Sequence, residues 1–394
     1  MAIVALAGLV LVEITRPLAP AVQAVDPTTF LDLASIRAAQ AYRQPLRFAA
    51  LLSLVLRAGT ATAVLLWLRG RDTAAMTTVR RWRLLRVGLA GLAVWAATDV
   101  MRLPVQIWAW NRSVDVGLST QNFLQWFGDW VLQTIPYWIG VGLAVMGAAW
   151  LRDRLGRLWV PVAGVCGGVI GVVMIFVGPL LFEPLLFDFT PLPQGDLRDA
   201  IVQLLVRADE PADAQLLVAD ASRRTTTSNA YVSGLGGTRR IVLYDNLIDD
   251  APAEEIVSIV AHELGHAQHH DIERRAIGLI GVSVLLVAAV NRLSPLHIVS
   301  KRPTSASMAA RSVAITLILL VVFAPVEGWV SRRSEAAADA RALEVTVDPD
   351  AYRSMMIGLG QRNLTDPSPP SWVVTLFYSH PPIGSRIARA ASDS

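Results

Sequence analysis

Apolar residues in this chain gather into long unbroken runs rather than the short alternations of a soluble fold. Five runs approach or reach the roughly 20 residues that a helix needs to cross a hydrocarbon core about 30 Å thick: Phe48–Leu68, Val87–Trp108, Val131–Leu151, Leu158–Phe182 and Ser312–Val330. A sixth run, Ala276–Val290, is short and must borrow flanking residues. A seventh, Ala2–Val12, is shorter still. It lacks the basic start of a cleavable signal peptide despite the small residues near Ala24, so it is read as a first span. The pattern predicts seven membrane spans.

Two stretches have ordinary polarity, which divides the chain into residues 1–182 (spans one to five), 183–275 (first part of a polar domain), 276–330 (spans six and seven) and 331–394 (second part). In the first polar part, "QLLVAD" (Gln215–Asp220) reads as a strand. "NAYVSGLGGTRRIVLYDNLI" (Asn229–Ile248) reads as two strands around the turn Gly234–Gly237. A helix should follow, capped by Asp249 or Asp250, with Pro252 in its first turn and Glu254 and Glu255 at the positive end of its dipole. It is predicted to run straight through to the next span. In the second part, "SRRSEAAADARAL" (Ser331–Leu343) favours helix and continues from the last span.

Composition agrees with the pattern: 53% of residues are hydrophobic and 17% charged, with mean hydropathy +0.46, against about 25% charged in a soluble domain. The chain is basic, with pI near 9.3, but its arginines sit in blocks beside the apolar runs, so a membrane partner is expected and no nucleic acid. Cys166 is the single cysteine, so no intramolecular disulfide forms. Lys301 is the single lysine, a bias that points to a GC-rich, bacterial genome.

Four of the six histidines fall within "VAHELGHAQHHD" (Val260–Asp271). His262 and His266 are four residues apart, so on a helix both imidazoles face one ion, and Glu263 stays within reach of a water beside it. This H-E-x-x-H arrangement fits one zinc per chain with a glutamate general base. A third protein ligand is needed. Candidates are His269, His270, His297, His380, Glu327 and Glu335. A straight helix carries His269 and His270 away. Glu335 has Asp339 one turn later, so one carboxylate can bind the ion while the other orients a ligating histidine.

"HELGH", "SRRSEAAAD" and the C-terminal "SHPPIGSRI" together resemble the integral-membrane zinc proteases of the type-I CAAX prenyl protease family. "NAYVSG", the seven spans and "FEPLLFDFTPLP" (Phe182–Pro193) extend the likeness. The resemblance implies a gluzincin in which His262, His266 and Glu335 bind zinc, Glu263 activates water and Asp339 supports a ligand. It implies that His380 donates to the oxyanion, that Arg386 holds substrate or supports the site, and that Asn229, Ala230 and Tyr231 form an edge strand to which a peptide adds. It also implies spans that enclose a water-filled chamber. Asp271 stands where better-known prenyl proteases carry a histidine, and the loop Asn111–Phe123 departs from the eukaryotic pattern.

The expected architecture is a seven-span helical membrane protein of the cell membrane with a small α/β zincin-type protease domain. It should hydrolyse peptides or membrane proteins, and nothing in it calls for an obligate protein partner. The rival readings are an inactive scaffold, a metal-regulated transporter using Arg57, Asp99 and Arg102, and a prenyl-specific CAAX processing protease. Arginine-rich short loops mark the cytoplasmic face. Their count places the zinc site outside the cytoplasm, whereas the resemblance implies the cytosolic side.

Overall fold

The computed structural model describes residues 23–69, 82–234, 239–294 and 305–392. The expected span Ala2–Val12, most of the Gly234–Gly237 turn, and His297 lie outside the described residues. In chain order, α1 (Leu33–Trp67), α2 (Arg83–Asp115), α3 (Phe123–Leu155) and α4 (Trp159–Leu186) come first. A polar unit follows: β1 (Phe189–Pro191), α5 (Asp196–Arg207), β2 (Gln215–Ala219), β3 (Ala230–Ser233), β4 (Arg240–Tyr244), α6 (Asp245–Asp250) and α7 (Ala253–Gln268). Then come α8 (Asp271–Leu293), α9 (Ala306–Thr346), α10 (Pro349–Arg362), α11 (Ser371–Phe377) and α12 (Ile383–Ser392).

Six of the seven expected spans are helices of membrane-crossing length. The apolar segment Phe123–Leu186 is divided by a 3-10 turn at Gly156–Leu158, where Gly156 adopts φ +55°, a conformation that side chains other than glycine's rarely take. α8 extends past Ala276–Val290 at both ends, as the short run required. α1 begins well before Phe48, so Arg37, Arg43 and Arg47 lie on a helix rather than in a loop.

The spans pack tightly only at one end. A Cβ built on Gly88 or Gly91 of α2 would sit under 3 Å from Met146 or Val145 of α3, and one on Gly164 or Gly168 of α4 would strike the α8 backbone at Val284 or Ile280. There Ala61, Val94, Ala314 and Leu317 form a buried cluster. Nearer the polar unit, residues 43–60, 99–115, 123–141, 169–186 and 318–333 bury no side chain. The described spans are packed less closely here, although α2 and α3 stay in contact through Trp110 on Trp126 and Gln106 on Trp130, and α4 meets α8 at Gly171 and Leu279.

The polar unit packs around a four-stranded sheet of order β1-β2-β4-β3, in which β2 and β4 are parallel and the outer pairs antiparallel. Ile201 and Leu204 of α5, Ile241 and Leu243 of β4, and Ile256 and Leu264 of α7 are fully buried together, each contributing about 1.5–3 kcal/mol by leaving water. Three sequence expectations are corrected. β4 ends at Tyr244, and Asp245–Asp250 form a helical turn. Pro252 rather than an aspartate occupies the cap position of α7. α7 also does not run straight into the membrane: it stops at Gln268, and His270 takes a left-handed conformation (φ +54°) before α8 begins.

Candidate metal centre

Two helices crossing at small residues make the site. Gly265 of α7 lies against Ala338 of α9 so closely that a Cβ on it would be 2.9 Å from the Ala338 Cα and carbonyl oxygen. This contact sets His262 and His266, on either side of Gly265, opposite Glu335 and Asp339, on either side of Ala338. His262 Nε2 is 3.2 Å from Glu335 Oε2, and His266 Nε2 is 3.4 Å from Glu335 Oε1. One ligand atom from each of the three residues lies within 4.8 Å of the others, and among the described residues no other histidine or acid group converges in this way.

The far side of each imidazole is held by a carboxylate. Asp339 Oδ1 meets His262 Nδ1 at 2.9 Å, and Asp271 Oδ2 meets His266 Nδ1 at 2.8 Å. With Nδ1–H donating outward, both Nε2 lone pairs point to the common centre, the support that metal-bound histidines generally have. Glu335 Oε2 is buried without a hydrogen-bond partner, which a cation between the three residues would satisfy. Two imidazole nitrogens and one carboxylate form the donor set of a catalytic zinc site with an open fourth position. The residues present therefore fit such an ion.

The electrostatics tell the same story. Burial opposes ionisation of Glu335, but the close approach of the His262 and His266 imidazoles outweighs it and holds the carboxyl well below its ordinary range. Burial likewise opposes charge on His266, yet Asp271 and Glu335 push it up to about 10. The site is strongly cation-seeking, and without a metal it takes protons. Glu263 moves the other way from Glu335: burial raises it, and the neighbouring histidines and the Val232 N–H only partly offset that. A glutamate raised toward neutrality suits proton transfer.

Other sequence-predicted residues take distinct places. Arg386 gives Nη2 and Nε to Asp339 at 2.6 and 3.0 Å, so it supports His262 through Asp339 and does not face the cleft. His380 lies at the mouth, 56% exposed, with Nε2 3.4 Å from Glu335 Oε1. Its Nδ1 is 2.8 Å from Ser379 Oγ, and a hydroxyl donating there leaves Nε2–H facing the centre. Three candidate ligands stay away. His269 Nδ1 bonds the Gly265 carbonyl, His270 turns to Glu273, and Glu327 is exposed two turns before Glu335. The residue that sequence reasoning missed as a site component is Asp271. Its signal was present as the position where this chain departs from the histidine of the prenyl proteases it resembles, but only the break at His270 turns it back toward His266.

β3 is the free edge of the sheet, and it borders a cleft lined by Val232, Glu263, His266 and Glu335. Tyr244 N–H donates to the Asn229 carbonyl at 3.1 Å. Main-chain direction alternates along an antiparallel strand, so Asn229 and Tyr231 face β4 while Ala230 and Val232 present their N–H and C=O groups to the open edge. Tyr231 spends its hydroxyl on Glu183 at 2.8 Å. Of the three residues expected to receive a peptide, Ala230 has the right orientation, and Val232 was overlooked.

Comparison with known proteins agrees. Residues 191–393 match the model of peptidase family M48. An uncharacterised metalloprotease of Bacillus subtilis, YhfN, is 29% identical over 75% of this chain and 71% of its own length. A CAAX prenyl protease 1 homologue of rice is 32% identical over 56% of the chain, and the match spans about half (52%) of that relative. The crystal structure of Ste24p from S. mikatae superimposes with a TM-score of 0.74 over 99% of this chain and 97% of that one, at 19% identity, and so shares its fold. The chain belongs to peptidase family M48, as a multi-pass membrane metalloprotease related to the CAAX prenyl proteases.

Proposed function

We propose that this protein is a zinc-dependent endopeptidase in which His262, His266 and Glu335 hold the ion and Glu263 is the general base. The observation that carries the reading is the convergence of three ligand atoms within 4.8 Å, with a carboxylate behind each imidazole. When bound, zinc would supply a Lewis acid for the scissile carbonyl and acidify water. A peptide adds to β3 through the main-chain groups of Ala230 and the carbonyl of Val232, whose N–H is held by Glu263, which orients the scissile bond over the cleft. Glu263 takes a proton from water and returns it to the leaving amine. His380 Nε2–H donates to the oxygen that gains charge. Asp339, Arg386 and Asp271 keep the imidazoles aimed.

Exposed apolar segments of peptides and membrane proteins are the proposed substrates, because Glu335 sits on α9, the same helix that forms the last span, and so holds the centre at the membrane end of the polar unit. Purified protein should cleave such peptides in a zinc-dependent way, and prenylation of a cysteine in them should change the rate little. Loss of cleavage on chelation, with recovery on adding zinc, is the expected result. Strict dependence on the prenyl group would replace the general reading with a CAAX-specific one.

The same proposal places the centre outside the cytoplasm, with the protein in the cell membrane. The loop Gly117–Asn122 docks on Ser222–Thr226 through a bridge between Ser119 and Thr225, so the α2–α3 connection lies on the domain face. Arg43 on that face is bound to the Leu364 and Asn363 carbonyls, and Arg47 to Asp366. The opposite face carries Arg69, Arg152, Arg154, Arg157 and Arg292. Short basic loops stay cytoplasmic.

A further inference from the structure

His380 reaches the centre from a segment that does little to hold itself. Ser379 and His380 are exposed, and among the described residues they make no main-chain hydrogen bond. The next two residues, Pro381 and Pro382, have no N–H to give. Surface connections of this kind are mobile. An oxyanion donor must instead be fixed in advance, since a shift of about 1 Å at the reacting groups can cost about 10²-fold in rate.

The helix that carries Glu335 holds this segment from both sides. Upstream, Arg332 of α9 donates from one nitrogen, Nη1, to the Val374 carbonyl at 2.9 Å and to the Tyr378 carbonyl at 2.6 Å. These carbonyls lie at the C-terminal end of α11, where a helix runs short of donors and its dipole draws a cation. Tyr378 is two residues before His380. Downstream, Arg386 of α12 gives Nη2 to Asp339 of α9 at 2.6 Å. Arg332, Glu335 and Asp339 are spaced by three and four residues, so they share one face of α9. They span about 10 Å of helix rise. His380 thus hangs between two anchors, with Nε2 3.4 Å from Oε1 of Glu335, the residue that lies between them.

Close packing supports the upstream anchor. A Cβ built on Gly328, one turn before Arg332, would lie 3.1 Å from the Tyr378 carbonyl oxygen and 3.1 Å from Arg332 Nη1. Glycine there lets α9 and the end of α11 approach closely enough for the double hydrogen bond.

We propose that Arg332 is the positioning residue of the oxyanion donor: through the Tyr378 carbonyl it sets where His380 stands relative to Glu335. This rests on the reading of His380 as that donor. Arg332 does no chemistry itself, because its Nη1 is spent on the two carbonyls. Its loss should therefore act on kcat and spare KM, since β3 holds the peptide in the ground state while His380 meets the charge that develops later.

A double-mutant cycle on the purified full-length protein, with an apolar fluorogenic octapeptide as substrate, tests this. His380→Ala should lower kcat about 10²–10³-fold, the usual cost of one oxyanion donor. Arg332→Met should lower kcat about tenfold or more, with KM and zinc content within about twofold of the parent. A phosphinic analogue of the same peptide, which mimics the tetrahedral intermediate, should lose affinity in step with kcat/KM. Arg332→Lys keeps a charged donor and should recover most of the loss. In the His380→Ala background, Arg332→Met should cost less than about twofold more, because the group it positions is gone. A brace for the fold alone would cost the same factor in both backgrounds. If Arg332→Met does not fold, Gly328→Ala carries the same test, since its methyl group displaces the Tyr378 carbonyl with Arg332 intact. Losses that multiply in the double variant, or near-parental kcat in a folded Arg332→Met protein, overturn the inference while His380 keeps its role. Near-parental kcat in His380→Ala removes the oxyanion reading and the inference with it.

Discussion

At the scale of residues, roles within the centre separate by what each side chain touches. Glu263 bonds neither imidazole and lies on the cleft. Glu263→Gln should therefore keep the metal and the fold while cleavage falls by about 10²–10⁴-fold, the usual share of general acid–base catalysis. Metal content and turnover of the variant check this, and near-wild-type turnover would remove Glu263 as the base. Asp271 acts through His266, so Asp271→Asn should weaken metal affinity about 10–100-fold, whereas Glu335→Ala should empty the site. Equilibrium dialysis of the two variants separates them. The raised His266 also sets a pH dependence. With its value near 10, the metal-free imidazole is protonated at neutral pH, and zinc must displace that proton. Apparent zinc affinity should thus rise with pH, by about tenfold per unit for each proton released. Metal titrations at pH 7 in buffers of different ionisation enthalpy should show release of at least one proton; none would contradict the assignment.

At the scale of elements, the quality of the centre depends on how closely α7 and α9 cross. Gly265→Ala puts a methyl group 2.9 Å from the Ala338 backbone, where no flexible side chain can yield. The helices must separate, at a cost of about 1–3 kcal/mol, and Glu335 moves away from both imidazoles. Lower thermal stability together with reduced zinc affinity is expected, while Gly178→Ala, which meets nothing within 4 Å, should leave both unchanged. The HELGH helix was legible in its residues because two histidines four apart share a face whatever surrounds them. Its end was not. A break at His270 needs a left-handed residue, and nothing local in "AQHHD" demands one. The break arises because α8 must leave toward the spans and because Asp271 is drawn to His266 and to Ser334.

At the scale of the whole molecule, the orientation proposal meets its test in single cysteines placed at Ser222 and Arg157 in a Cys166→Ala protein. Both positions are exposed on opposite faces. An impermeant reagent on intact cells should modify Ser222→Cys and spare Arg157→Cys; the reverse result places the centre in the cytoplasm. What the sequence by itself determined follows from signals that need no partner. The six described spans rest on lengths of apolar runs, the shared face of His262 and His266 on helical spacing, and the strands around Val232 and Val242 on local alternation and turn residues. Spacing left Glu327 and Glu335 both open, since they lie on one helix, and it is the Gly265–Ala338 crossing that brings Glu335 against His262 and His266, as the family resemblance implied. Tertiary structure alone decided which strand residues face the open edge, because that depends on the pairing of Asn229 with Tyr244. The cluster around Asp99 is a further case, for Arg57, Asp99 and Trp138 come from three helices, and no spacing within one element records that they meet.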